Sequence, residues 1–152
     1  MILKKHKKSS SSSKRISLFK CLDGHIVRSK GELIIDNYLY LQGVEHKYES
    51  IIRINGQVIK CDWYLPQSDV YIEYWGYFGK KYEKRKAIKL YLYSKAKLNL
   101  ISIENEMFND IYHALQEKLK KYINLNQSIF QTSLIHCSNC GIKLDERYNI
   151  ID

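Results

Sequence analysis

The stretch Cys61-Asp62-Trp63-Tyr64-Leu65-Pro66-Gln67-Ser68-Asp69-Val70-Tyr71-Ile72-Glu73-Tyr74-Trp75 decides how this chain folds. Two apolar, β-prone segments, Ile59–Leu65 and Val70–Trp75, flank a break at Pro66–Asp69, and each carries one acid in its midst, Asp62 and Glu73. Adjacent strands bring same-face residues within side-chain reach, so the two carboxylates can converge among apolar neighbours. A buried carboxylate without a partner is costly, and a divalent cation is one partner that makes such a pair stable. Within Val70–Trp75 the two-residue period of a strand sets Tyr71, Glu73 and Trp75 on one face. An acid between two aromatics is an unusual choice for a plain core face.

Upstream, Asn55-Gly56 separates Tyr48–Ile54 from Gln57–Leu65, and Asn-Gly takes the positive φ angles of a tight hairpin turn. Ile16–Cys21 reads as a short β-like piece before a turn at Asp23-Gly24. Ser29 followed three residues later by Glu32 is a capping-box signature, placing a helix at about 30–42 with Gly43 as its stop. Glu32 thus has a structural explanation, reaching back to the Ser29 N–H, alongside any functional one.

Downstream, Gly76–Gly79 reads as a loop and Tyr82–Lys95 as a helix. Tyr82, Arg85, Lys89, Leu92 and Ala96 recur at helical spacing, which puts Lys89 on or beside the inward stripe. The plainer account is a lysine snorkelling at the edge of an amphipathic helix. Leu98–Ile103 reads as a strand, and Met107, Ile111, Leu115, Leu119 and Tyr122 form an apolar stripe over about 106–123 that belongs to the core. The order is helix, three strands joined by short turns, helix, strand, helix: an α/β sandwich whose central mixed sheet is flanked by helices. That architecture hosts many activities.

The length of 152 residues predicts one domain with tails: a basic, serine-rich tail at 1–15, a folded domain at 16–124, and an extension at 125–152. A hydrophobic fraction of 45% suffices for a core. The net charge of +9 is uneven, because residues 1–15 hold Lys4, Lys5, Lys7, Lys8, Lys14 and Arg15 and no acid. The tail is too polar to order itself; it could grip nucleic acid by charge, act as a nuclear-type signal or keep the protein soluble. No run reaches the roughly 18 apolar residues of a membrane span. A soluble, intracellular protein is expected, cytoplasmic or nucleoid-associated, or nuclear in a eukaryotic or viral setting. Cys21 and Cys61 fall in or beside strands, while Cys137 and Cys140 form a separate Cys-x-x-Cys, which is not the pattern of a secreted disulfide scaffold. His136-Cys137-Ser138-Asn139-Cys140-Gly141 resembles half a zinc ribbon, and a complete zinc site would need further ligands.

Taken together, Arg28-Ser29-Lys30-Gly31-Glu32, Asp62-Trp63-Tyr64-Leu65-Pro66, Tyr71-Ile72-Glu73-Tyr74-Trp75-Gly76, and Tyr82, Lys89 and Tyr93 resemble the PD-(D/E)XK nuclease superfamily. The likeness runs from about Gly24 to Ile103. It is nearest the branch of very-short-patch repair nickases and nuclease-like domains attached to helicases. Cys61 stands where the superfamily has its proline. Trp75 stands where the Glu-x-Lys lysine would be, and in the resembling branch that lysine migrates to the next helix, which points to Lys89, with Arg85 and Lys86 as substitutes. The resemblance implies a restriction-endonuclease-like αβββαβ(α) core and a metal-dependent DNA endonuclease acting in repair, recombination, restriction or mobile-element processing. A nucleic-acid-binding module that keeps the fold without catalysis is the alternative, and an interaction protein whose basic tail binds acidic partners is a third.

On that reading Asp62 and Glu73 ligate Mg²⁺ or Mn²⁺, hard cations suited to oxygen donors. Glu32 binds a second ion or orients its water, and Lys89 helps position the nucleophile or stabilises developing negative charge. Arg28, Lys80, Lys81, Arg85 and Lys86 are the expected DNA contacts, interleaved with Tyr77, Phe78 and Tyr82 as base-stacking surfaces. The bland account of the same residues is a solvated helix face with tyrosines partly buried. A homodimer, a helicase or another repair or recombination protein are the partners that the resemblance admits.

Overall fold

The Ser29 backbone is extended (φ −145°, ψ 158°) and its Oγ accepts a hydrogen bond from the Glu32 N–H at 3.1 Å, which starts helix α1 (Lys30–Leu41). This satisfies one of the amides that the first helical turn leaves unpaired. The computed structural model describes residues 17–125. Ahead of α1, strands β1 (Phe19–Lys20) and β2 (Ile26–Val27) pair antiparallel across the turn at Asp23-Gly24.

The Asn55-Gly56 hairpin forms, both residues at positive φ (49° and 77°). Its arms, expected as two unbroken strands, are each divided. β3 (Lys47–Tyr48) pairs with β6 (Trp63–Leu65), while β4 (Ile51–Ile54) pairs with β5 (Gln57–Lys60) in a sheet of its own. The registers Lys47↔Tyr64 and Ile51↔Lys60 are in phase, so this is one hairpin bent at its middle. At the bend Glu49 takes a left-handed φ of 52°, and the ladder persists there as Glu49 N–H to Asp62 O (2.7 Å) and Cys61 N–H to Ser50 O (2.9 Å). The bend lets β4 and β5 leave the main sheet and sets Asp62 at the corner.

β6 runs antiparallel to β7 (Val70–Trp75), and β7 runs parallel to β8 (Asn99–Glu104), giving a mixed sheet of order β3-β6-β7-β8. Parallel neighbours need a crossover, supplied by α2 (Lys80–Lys95). The third helix differs from the 106–123 expected: a 3₁₀ segment over Asn105–Asp110 precedes α3 (Ile111–Leu119). Asp110 restarts the helix by accepting from the His113 N–H, an N-cap signal that the apolar stripe obscures.

One sheet face packs Trp63, Leu65, Val70, Ile72, Ile101 and Ile103 against α1 and α3 residues such as Ile35, Leu39, Leu115 and Leu119. Full burial of side chains of this size stabilises by about 2–3 kcal/mol each. The opposite face meets α2, where Leu92 and Tyr93 lie with Ile52, Ile54 and Cys61. The protein is therefore a mixed α/β fold with a mixed sheet and three α-helices among the described residues. None of these helices is long and apolar enough to cross a membrane.

Candidate active site

In β7 the side chains alternate: Val70 and Ile72 enter the α1/α3 core, while Glu73 turns to α2 and is 1% exposed. The β6–β7 register ends at Trp63↔Ile72, so one further step sets Asp62 opposite Glu73, on the same sheet face. α2 delivers the partners from residues four apart on its inward side. Lys89 Nζ donates to Glu73 Oε2 at 2.6 Å, and Tyr93 OH donates to Glu73 Oε1 at 2.7 Å. Lys89 also lies 5.7 Å from the centre of the Trp75 ring. Arg85, assigned to the inward stripe from its spacing, is exposed; Lys86 is the less exposed of the two.

Asp62 Oδ2 accepts the Tyr74 N–H at 2.7 Å. Burial, then the charge of Glu73, pushes its carboxyl up to about 7, against the pull of the Tyr74 amide and Lys89. Burial also raises Glu73, with Lys89 and Tyr93 opposing. The ionised forms of both acids are thus disfavoured chiefly by burial, a cost that a divalent cation is one way to offset. The donors are oxygens, and each carboxylate oxygen keeps a second lone pair, so the residues fit Mg²⁺ or Mn²⁺.

Glu32 is tied into the start of α1. Its Oε2 accepts from the Arg28 N–H (2.9 Å) and from Ser29 Oγ (2.9 Å), and its Oε1 from Tyr48 OH (3.3 Å). The capping contact expected to the Ser29 amide is made to the Arg28 amide instead, one residue earlier. The charge of Glu32 still contributes to the rise at Asp62. What holds this helix end against β7 is Tyr74: a Cβ at Gly31 would lie 2.5 Å from its ring, and one at Gly76 2.6 Å. At either position an added side chain would have to displace that ring.

The expected DNA contacts divide into two groups. Arg28 forms a two-pronged ion pair with Glu49, and Lys86 pairs with Glu104 at 2.7 Å over the Trp75 ring. Lys80, Lys81 and Arg85 are exposed and line a groove of about 630 Å³ with Tyr77, Phe78 and Tyr82. Tyr77 and Phe78 are 62% and 74% exposed there. The Tyr82 ring in that groove lies 6.5 Å, centre to centre, from the ring of Trp75, two residues beyond Glu73 in β7. Cys137, Cys140, the tail at 1–15 and most of the 125–152 extension lie outside the described residues.

A second constellation was missed in the sequence. Asp23, His25, Asp36 and His46 each offer one donor atom, all within 4.8 Å of one another, and they could hold a metal ion. Among the described residues no other three or more His, Cys, Asp or Glu side chains converge so closely, so Glu32, Asp62 and Glu73 do not form such a set. The only sequence signal was one histidine beside the Asp23-Gly24 turn, another three residues past Gly43, and an aspartate on the buried face of α1.

Compared with known sequence families, with curated proteins and with solved structures, the chain matches none of them.

Proposed function

We propose that the chain is a metal-dependent DNA endonuclease of the PD-(D/E)XK type. The observation that carries this reading is the placement of Asp62 across from Glu73 with Lys89 on the Glu73 carboxylate. The order α1, bent hairpin, β7, α2, β8, with β8 parallel to β7, supports the restriction-endonuclease-like core.

Asp62 and Glu73 would hold Mg²⁺ or Mn²⁺, which supplies charge neutralisation at the scissile phosphate and an acidified water. The chain's own contribution is positioning. Tyr74 N–H fixes the Asp62 carboxylate, Tyr93 fixes that of Glu73, and Lys89 places a cation where negative charge develops on the phosphate. Glu32, anchored at the α1 start, adds negative potential on the Asp62 side. Lys80, Lys81 and Arg85 grip the backbone, with Tyr77 and Phe78 beside them as stacking surfaces.

A second reading has its own support. Both Glu73 oxygens already accept hydrogen bonds and Glu32 is committed to the helix cap, as in a module that binds nucleic acid without cutting it. Supercoiled plasmid separates the two. Nicking with Mg²⁺ or Mn²⁺ that stops with chelator is the expected result, and intact plasmid that is bound but never nicked leaves only the binding module.

A further inference from the structure

The turn between β1 and β2, the middle of α1 and the segment before β3 meet at Asp23, His25, Asp36 and His46. His25 Nδ1 lies 2.8 Å from Asp23 Oδ2 and 3.1 Å from Asp36 Oδ2. His46 Nε2 lies 3.0 Å and 3.5 Å from the same two oxygens. Donors at the corners of a tetrahedron around zinc, with bonds of about 2.0–2.1 Å, stand about 3.3 Å apart. Four of the six donor–donor edges bracket that value, and the other two are no longer than 4.8 Å.

His46 Nδ1 lies 2.8 Å from Val44 O. A carbonyl only accepts, so Nδ1 carries the hydrogen and Nε2 is the atom that faces the two carboxylates. The His46 side chain is 3% exposed, yet Nε2 has no hydrogen bond of sound geometry with either oxygen. Asp36 is fully buried and its Oδ1 is likewise unpartnered. Unpaired buried polar atoms are rare and call for a cause. Val44 O holds the outer nitrogen of His46, the kind of partner that orients a metal ligand, and Trp63 Nε1 donates at 2.9 Å to Asp36 Oδ2, the same oxygen that faces the imidazoles.

We propose that Asp23, His25, Asp36 and His46 form a structural zinc site, distinct from the Asp62–Glu73 pair. Two imidazoles and two carboxylates at tetrahedral spacing suit Zn²⁺, whereas Mg²⁺ demands six oxygens in an octahedron. The ion joins the β1–β2 turn to α1 and to the entry of β3. It thereby fixes the segment from which Arg28, Ser29 and Glu32 start the helix.

The test is metal content of the full chain carrying Cys137→Ser and Cys140→Ser, so that those thiols contribute nothing. One equivalent of zinc per chain after exhaustive dialysis is expected. Cobalt in its place should give the intense visible bands of tetrahedral Co²⁺ without thiolate charge transfer, and a strong chelator should lower the Tm. His25→Gln and Asp23→Asn, at the more accessible edge, should each cut zinc affinity at least tenfold while circular dichroism stays native. Zinc no higher than trace, or a Tm indifferent to chelator, overturns the proposal. So does zinc kept at full affinity by both variants, and its loss in Asp62→Asn would then place the ion at the other acids.

Discussion

Lys89 Nζ stands 2.6 Å from Glu73 Oε2, joining a half-exposed turn of α2 to an acid buried at the centre of the sheet. Removing one partner of such a pair leaves a buried charge with less compensation, which costs more than the intact pair contributes. Lys89→Met is therefore expected to destabilise the fold by about 2 kcal/mol and to lower cleavage at least 100-fold. Urea unfolding and plasmid nicking measure the two effects. Wild-type cleavage by a stable Lys89→Met protein would remove Lys89 from the mechanism.

Asp62 sets the pH behaviour of the metal-free protein. Its carboxyl titrates near 7 in the fold, and an unfolded Asp near 4. Between those values the native state holds the proton that the unfolded chain has lost, so this residue makes stability fall as pH rises from about 4 to about 7. Asp62→Asn keeps an acceptor for the Tyr74 N–H and has no charge to bury. Its metal-free form is expected to be about 2 kcal/mol more stable than wild type at pH 8, and equal to it at pH 4. Denaturation midpoints across pH give the comparison; a constant difference would show that Asp62 ionises normally.

Gly31→Ala drives a methyl group into the Tyr74 ring, which Gly76 also approaches closely. The ring and the start of α1 must separate, carrying Glu32 away from Asp62. Activity is expected to fall about tenfold or more, since small misplacements near reacting groups are costly. Full activity in a folded variant would show that the ring gives way and the start of α1 keeps its place.

Lys80, Lys81 and Arg85 are exposed beside the aromatic groove, whereas Arg28 and Lys86 are spent on Glu49 and Glu104. Replacing the first three by Gln should weaken DNA binding and reduce the slope of log affinity against log salt by roughly 2 to 3. Replacing Arg28 and Lys86 should change that slope by less than 1. Binding titrations at several salt concentrations decide it, and the opposite ranking would move the interface to the other side of α2.

The sequence was legible where one local rule governed. Ser29 and Glu32 announced α1, Asn55-Gly56 announced the hairpin, and the alternation around Glu73 announced its strand and face. It was opaque where distant contacts decided. Nothing local shows that Glu49 turns left-handed and bends the hairpin at Asp62. The apolar stripe at 107–122 hid the restart at Asp110, because 3₁₀ and α segments bury similar spacings. Asp23, His25, Asp36 and His46 come from three separate segments, and their convergence exists only after α1 has packed on the sheet. Tyr93, known at first only through the Tyr–Lys–Tyr resemblance, has a physical role as the hydroxyl that pairs with Glu73 Oε1.

The central claim is that Asp62 and Glu73 make one metal-dependent phosphodiesterase site. Single-turnover cleavage of labelled duplex, branched and single-stranded DNA by wild type and by Asp62→Asn, with Mn²⁺ and with DNA affinity measured in parallel, tests it most directly. Cleavage of at least one substrate by wild type, and none by an Asp62→Asn protein that binds DNA equally well, is predicted. Equal cleavage by both proteins would contradict the account.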